Sequence, residues 1–524
     1  MRSQRKSRRT AVVVGAVVVV ALAVVTPLTV RALSADPVVM GMEDGAVMTA
    51  NAARDLAVTV PEGTNPDEVE LLLDGKPVQA KADGNRLVLA DADLAEGEHT
   101  LTARSPGSVP LLPDDEVSRR FTVDGTPPKL TVAADAVTDL RKPVEVRGTA
   151  EGASALTMDG KPVELAQDGR FAVTLPTAAT VQFQARDAAG NIAEQKFTVD
   201  TRHPGMRAVH MSAAGWQSKG LREPVLAMAR EGRIDTVQLD IKDESGEIGY
   251  KSNVPLAKEI GSTRDYYDAK AVTDELHKMG VRVVGRLVAF RDPIMARASW
   301  ESGKKDRVIQ TSGGTPWASS YGQYSFTNFA HPDVIAYNIG LAEEAASLGF
   351  DDILYDYIRR PEGALSSMKL PGLKGTPEDS IVDFVAKSRD AVRKHGAFLG
   401  VSVFGIAVTR PAPVAQDIPG MAKYADYIAP MVYPSHWGPG EYGVARPESQ
   451  PYDITARSVG DFVKKVEGTG SEIIPWLQAF SLGVSYGPKE VRAQIDASKS
   501  VGAPSFLLWD PACRYNPAAL DPKT

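Results

Sequence analysis

The chain has 524 residues, a formal net charge of -7 and an ordinary apolar share of 43%. A single hydrophobic core stops growing near roughly 250 to 300 residues, so two or three domains are expected. The acidic balance carries no nucleic-acid footprint and the apolar content is too high for an unfolded, solvated chain, so nucleic acid is set aside as a partner.

The chain opens on MRSQRKSRRT, in which Arg2, Arg5, Lys6, Arg8 and Arg9 stand without an acid. Residues 1–10 read as a cytoplasmic basic tail. Residues 11–30 are uncharged and apolar, which is long enough to cross a bilayer, and the basic flank keeps the start of the chain inside. The expectation is a single-pass cell-membrane protein, anchored through this helix, whose remaining domains are extracytoplasmic. Secretion after cleavage at Ala32-Leu33-Ser34 is the alternative. A lone cysteine, Cys513, excludes an internal disulfide in an exported chain and reads as a small buried apolar residue.

An internal repeat follows. LLLDGKPVQAKADGNRLVL at Leu71 to Leu89 aligns without gaps within ALTMDGKPVELAQDGRFAVTL at Ala155 to Leu175, Asp74 matching Asp159 and Asp83 matching Asp168, both pairs 85 positions apart. Short strand-like runs broken by Asp-Gly are hairpin signals. Residues 37–124 and 125–203 are therefore expected to be two all-β sandwich modules, resembling the immunoglobulin-like spacers of bacterial surface proteins.

After Pro204 apolar runs alternate with amphipathic helical stretches. Eight runs stand out, beginning at Met206, Thr236, Val281, Asp352, Phe398, Tyr427, Glu472 and Ser505. Between them lie helix candidates such as DAKAVTDELHKMG, VIAYNIGLAEEAASLG, DSIVDFVAKSRDAVRKHG, ARSVGDFVKKVEG and KEVRAQIDASKSVG. Thr376-Pro377-Glu378-Asp379 is a helix start, and Gly280, Gly349 and Gly396 are helix ends. Eight alternations over residues 204–524 predict a (β/α)8 TIM barrel, an α/β fold. A doubly wound open sheet is the structural alternative, but its Gly-rich phosphate loop is missing.

Barrels of this kind place chemistry at the carboxyl ends of the strands. The fourth run, FDDILYDYIRRP, buries Asp356 among apolar neighbours near the strand exit, which marks it as catalytic. Alternation in the second run puts Gln238, Asp240 and Lys242 on one face. A desolvated acid beside a second one is raised in pKa, so that one stays protonated while the other is ionised. Asp240, Asp243 or Glu247 is expected to partner Asp356, with Asp240 the first choice as proton donor. Lys242, Asp243 and Arg286 are expected at the substrate, and Arg359 as a group that orients a carboxylate or holds sugar hydroxyls. The long connection from Asp292 to about His331 carries Trp300, Trp317, Tyr321 and Tyr324, and a loop of that length with aromatics points to function. Tyr433, His436 and Trp437 after the sixth run offer flat faces with polar edges for a sugar ring. Gln478, Trp509 and Asp510 complete the expected rim. No HExxH, paired CxxC, GxSxG or GxxxxGK[ST] occurs, so neither a metal nor another cofactor is called for. The remaining carboxylate and aromatic chemistry suits hydrolysis of a glycosidic bond, which needs two acids flanking the bond. A noncatalytic barrel that binds an envelope polysaccharide is the alternative.

VQLDIKDESGEIGYKSNVPLAKEIG, VVGRLVAFRDP, GFDDILYDYIRRP and YIAPMVYPSHWGPGEYG, in that order, resemble the exported bacterial barrel family described as a "putative glycoside hydrolase domain". The resemblance runs from Met206 to Pro511. It implies a TIM barrel that hydrolyses a polysaccharide or oligosaccharide, and it carries the family's fourth-strand Asp onto Asp356 and its Arg onto Arg359. Where the family reads closer to FDYVRFP, Arg360 stands in place of Phe, which changes the charge at the entrance. The stretch also partly resembles the chitinase strand signature, but the terminal Glu of that signature falls on Ile358, so the acid of a chitinase-type mechanism is missing.

Overall fold

The computed structural model describes residues 38–62, 64–90, 94–105 and 115–522. The basic tail and the apolar run expected to anchor the chain lie outside them. Among the described residues, no helix is long and apolar enough to cross a membrane.

The first described region is built of two sheets. One orders Val39–Met40, Ala57–Thr59, Arg86–Leu89 and Ala80–Asp83; the other orders Ala46–Met48, Asp115–Val123, Gly97–Ser105, Glu70–Leu73 and Lys76–Pro77. Val58 and Leu87 from the first meet Leu71, Leu101 and Phe121 from the second in one hydrophobic core. A second β-region repeats the plan with a three-stranded and a four-stranded sheet, and Phe171 from one meets Phe183 from the other at 5.3 Å. The repeat survives in the backbone. Asp74 and Asp159 both take a left-handed conformation, with φ of 52° and 48°, each followed by a glycine at 75°. Asp tolerates that region because its short side chain bonds locally, and here Asp74 and Asp159 accept the backbone N–H of Thr100 and Gln182, each at 2.9 Å.

By compactness the chain divides into two units. One runs up to Val132 and takes Gly148–Phe171 and Gln182–Lys196; the other takes Ala133–Arg147, Ala172–Val181 and everything from Phe197 on. The second unit contains the barrel. Its strands are β1 (Arg207–Met211), β2 (Thr236–Lys242), β3 (Arg282–Val288), β4 (Asp352–Asp356), β5 (Phe398–Phe404), β6 (Tyr427–Met431), β7 in two pieces (Glu472–Ile473 and Trp476–Gln478) and β8 (Phe506–Trp509). All pair in parallel, and β8 pairs back onto β1 to close the ring. Each of the eight sequence runs contains one of these strands. Pro475 has no N–H for the ladder, which accounts for the break in β7. Ala208, Val284, Leu354, Tyr427, Trp476 and Leu507 fill the barrel interior as one cluster, while Leu239, Ile353, Leu399 and Ile428 pack in the layer shared with the helices.

The principal helices are α1 (Lys219–Arg230), α2 (Ala269–Lys278), α3 (Pro332–Ser347), α4 (Pro377–Arg393), α5 (Ile418–Ala422), α6 (Pro451–Lys465) and α7 (Pro488–Ser500). Helix α4 has the expected capping box: Asp379 N–H donates to Thr376 Oγ1 and Thr376 N–H to Asp379 Oδ2, both at 3.1 Å, satisfying two otherwise orphaned donors. Gly280, Gly349 and Gly396 end their helices at positive φ. Helix α1 is not foreseen by propensity, since Gly220 and Pro224 lie inside it; burial of Val225, Leu226 and Met228 overrides that penalty.

Candidate active site

Arg286 organises the carboxyl end of the barrel. It lies on β3 in register with Asp240 on β2 and Leu354 on β4, so its side chain projects inward. Nε donates to Asp356 Oδ2 at 3.0 Å and Nη2 to the same oxygen at 2.6 Å. Nη1 donates to Asp240 Oδ1 at 3.0 Å, and Nη2 also donates to Glu244 Oε1. The indole of Trp509 lies 5.1 Å from the guanidinium. Asp356 is the last residue of β4 and is 4% exposed. Its second oxygen accepts the N–H of Tyr357 at 2.7 Å, and Tyr357 holds φ at 50°. A bulky residue in that region is strained, and such strain persists where the surroundings fix it, commonly at functional sites.

These groups open into a cavity of about 380 Å³. Glu244, Arg286 and Asp356 are its charged lining, and Tyr321, Tyr357, Phe404, Tyr433, Trp437, Trp476 and Trp509 supply aromatic walls. Gly405 is required for this shape: a Cβ there would stand 2.7 Å from Met431 O and 2.8 Å from Trp437 Cζ2. The absence of a side chain lets the Trp437 indole seat against the backbone.

The charges are settled by their neighbours. Burial opposes the Arg286 charge, but Glu244, Asp240 and Asp356 hold it cationic, well above the usual arginine range. Beneath it, His210 Nε2 lies 2.9 Å from Asp240 Oδ1. Burial pulls His210 down, yet the Asp240 carboxylate outweighs burial and raises it to about 9, so it is protonated at neutral pH. Asp240 is held below the ordinary carboxylate range, burial being outweighed by His210 and Arg286. Glu244 is also lowered, with Arg286 overcoming burial. Burial lowers His436, leaving a neutral imidazole at the rim.

The sequence profile of the family described as "Putative glycosyl hydrolase domain" matches residues 208–515. The chain belongs to this family. Solved structures similar to it include a hypothetical protein from Ruminiclostridium thermocellum, 29% identical over 37% of this chain and 96% of that one, with a TM-score of 0.33. The PgaB (BpsB) glycoside hydrolase domain from Bordetella bronchiseptica is 15% identical over 59% of this chain and 95% of its own, with a TM-score of 0.44. The glycoside hydrolase domain of PelA from Pseudomonas aeruginosa is 16% identical over 59% and 97%, with a TM-score of 0.35. No curated protein matches the chain.

In this glycosyl hydrolase domain Asp356, Arg286, Tyr433, His436, Trp437 and Trp509 all line the cavity. Other expected residues stand elsewhere. Asp240 points inward but lies between Arg286 and His210, absent from the lining, so it positions Arg286. Lys242 faces the helix layer because the β2–β3 register shifts between Asp240 and Lys242, and a bulge reverses alternation. Its ammonium donates to Asp292 Oδ2 at 2.7 Å and Asn338 Oδ1 at 3.0 Å, fully buried. Asp243 builds the next turn, its Oδ1 accepting Ser245 N–H, Ser245 Oγ–H and Glu247 N–H. That turn presents Glu244, not Asp243, to Arg286. Glu247 turns away to Arg264 and Tyr266.

Arg359 is also behind the wall. It is fully buried, stacks on Phe404 at 4.3 Å and Tyr357 at 5.0 Å, and pairs with Glu362 at 3.1 Å, so it braces the lining from the back. Gln478 uses its amide internally, accepting from Ser435 N–H and donating to Phe480 O, both at 3.0 Å. Asp510 faces a separate depression and its Oδ1 accepts Ala512 N–H at 2.8 Å. Of the long-loop aromatics only Tyr321 reaches the cavity; Trp300 faces Tyr324, and Trp317 packs over Gly363. Glu244, Tyr357, Phe404 and Trp476 are lining residues that the sequence reading did not select. Trp476 had a signal, since it shares a strand face with Gln478 at a spacing of two.

Proposed function

We propose that the barrel hydrolyses a polysaccharide by double displacement with retention of configuration, Asp356 acting as nucleophile and Glu244 as acid/base. The observation that carries this reading is that Asp356 Oδ2 and Glu244 Oε1 accept from the same nitrogen, Arg286 Nη2. Two oxygens on one donor are no more than about 5 Å apart, two short hydrogen-bond lengths. Retaining enzymes hold their carboxyl groups about 5 to 5.5 Å apart, whereas inverting enzymes leave roughly 6.5 to 9.5 Å for a water.

In the first step protonated Glu244 gives its proton to the glycosidic oxygen while Asp356 attacks the anomeric carbon; the bond to the leaving sugar breaks and a glycosyl ester forms. In the second, ionised Glu244 takes a proton from water, the water oxygen attacks the same carbon, and Asp356 is released as a carboxylate. Three donated hydrogen bonds, two from Arg286 and one from Tyr357 N–H, fix the Asp356 carboxyl in place for attack. Glu244, on a loop and with one anchoring donor, is the group free to exchange a proton with solvent. The aromatic walls stack on sugar faces. The amino-terminal apolar run, read as a membrane anchor, and the β-modules, read as immunoglobulin-like spacers, would hold this activity outside the cell.

The test compares cleavage and binding of malto-, cello- and chito-oligosaccharides by wild type and Asp356→Asn. Loss of turnover with binding retained supports the reading. Binding by wild type with no cleavage of any ladder instead supports a noncatalytic polysaccharide-binding barrel.

A further inference from the structure

We infer that the depression between the loops after β7 and β8 is a second glycan subsite, which holds sugar units farther along the same chain whose bond is cut in the first cavity. This inference rests on the glycosidase reading above and extends it from a single pocket to a polymer-binding track.

The depression has a volume of about 590 Å³, and Phe480, Leu482, Tyr486, Asp510 and Arg514 are among the residues lining it. It adjoins the first cavity. Phe480, which lines the depression, packs edge-on against Tyr433 at 5.7 Å and His436 at 6.4 Å, both of which line the first cavity, so these three rings stand between the two. Trp509 lines the first cavity and Asp510, the next residue, lines the second. The hydrogen bond from Ala479 N–H to Trp509 O, at 2.9 Å, ties the two loops together. A linear ligand leaving the first cavity over Phe480 enters this depression.

Its chemistry fits a hydroxylated ring with one apolar face. Leu482, 70% exposed, is the most exposed large apolar side chain among the described residues. Arg514 is exposed and makes no ion pair within 4 Å among the described residues, so its donors are available to sugar oxygens. Arg286, by contrast, has its donors taken by three acids. Asp510 is half-buried, and burial raises its carboxyl, adding a polar edge at the floor. The loop carrying Leu482 is held in place from behind: Glu448 Oε1 accepts Gly483 N–H at 2.7 Å and Val484 N–H at 3.0 Å, and Tyr486 O–H donates to Glu448 O at 2.7 Å. An apolar side chain displayed on a tethered loop is preorganised for a ligand, which reduces the ordering entropy that binding must overcome.

The experiment measures binding of malto-, cello- and chito-oligosaccharides of two to six units by calorimetry, using the full chain in the Asp356→Asn background with and without Leu482→Ala plus Arg514→Ala. The expected result is affinity that rises with length for the ladder that binds, and a loss of about tenfold, 1.4 kcal/mol, for the five- and six-unit sugars in the added double variant. The two-unit sugar should stay within twofold, and Arg514→Lys should keep part of the length dependence. Undiminished length dependence in the double variant, or an equal loss for short and long sugars, overturns the subsite while leaving the glycosidase reading intact. Failure of every ladder to bind overturns both.

Discussion

At the scale of single residues, the guanidinium of Arg286 fixes the positions of three acids, and its removal is the most informative substitution. Breaking a buried ion network by deleting one partner leaves uncompensated charge and destabilises by about 3 to 5 kcal/mol. Arg286→Met is predicted to lose stability on that scale in chemical denaturation, whereas a change under about 1 kcal/mol would show that the carboxylates do not depend on it. Glu244 makes a second prediction. Because Arg286 outweighs burial and holds it below the usual range, it is mostly ionised at neutral pH, and the acid form that the proposed mechanism starts from grows as pH falls. Activity should therefore rise on acidification below neutrality, and Glu244→Gln should lower turnover by about 10² to 10⁴ and abolish that rising limb. A variant that keeps the limb would assign the proton to another group. The place of Asp356 at the cavity was legible from sequence because an acid inside an apolar strand near its exit has few purely structural uses. Glu244 was not, since only the turn built by Asp243 decides which of two adjacent acids faces inward.

At the scale of elements, strand and helix order followed directly from apolar runs separated by capping signals, while side-chain direction failed where one strand departs from regularity. The bulge in β2 carries no residue signature, yet it sends Lys242 into the helix layer. There Lys242 and Asp292 form a fully buried pair that ties β2 to the start of the long loop. Asp292→Ala is predicted to cost about 3 to 5 kcal/mol by stranding the ammonium, and combining it with Lys242→Met should recover most of that loss. Equal destabilisation in the single and double variants would mean that the cap supplied by Asp292 to Met295 N–H outweighs the charge. The long loop was expected to be functional as a whole, but short strand pairings and a helix order it, and it offers the cavity only Tyr321.

At the scale of the whole molecule, two buried histidine–aspartate contacts have their acids on different barrel strands, Asp240 on β2 and Asp352 on β4. His210 and Asp240 lie under the cavity, and His203 and Asp352 lie at 2.7 Å, with Arg282 donating to Asp352 at 2.8 Å. Burial raises Asp352, but Arg282 and His203 prevail and lower it; its contribution is complete above the unfolded value of 3.8 and is lost as pH falls below it. His210 works in the opposite direction. Its folded pKa, about 9, stands above 6.5, so its stabilisation is complete below 6.5 and disappears as pH climbs through about 9. Unfolding free energy should decline on the alkaline side by roughly 3 kcal/mol from this group, and His210→Gln should flatten that decline; an unchanged slope would place its origin elsewhere. The repeat and the eightfold alternation made the architecture readable. The closing of the ring and the meeting of Arg286 with acids from β2, the loop after it and β4 are long-range facts that no local pattern encodes.

Asp356 and Glu244 share one guanidinium nitrogen, and the most direct test of retention is the anomeric configuration of the first product released from a cleaved oligosaccharide, followed by proton NMR before mutarotation. Retention of the substrate's configuration is the predicted result. A product of inverted configuration would contradict it, because inversion needs the two acids far enough apart to admit a water.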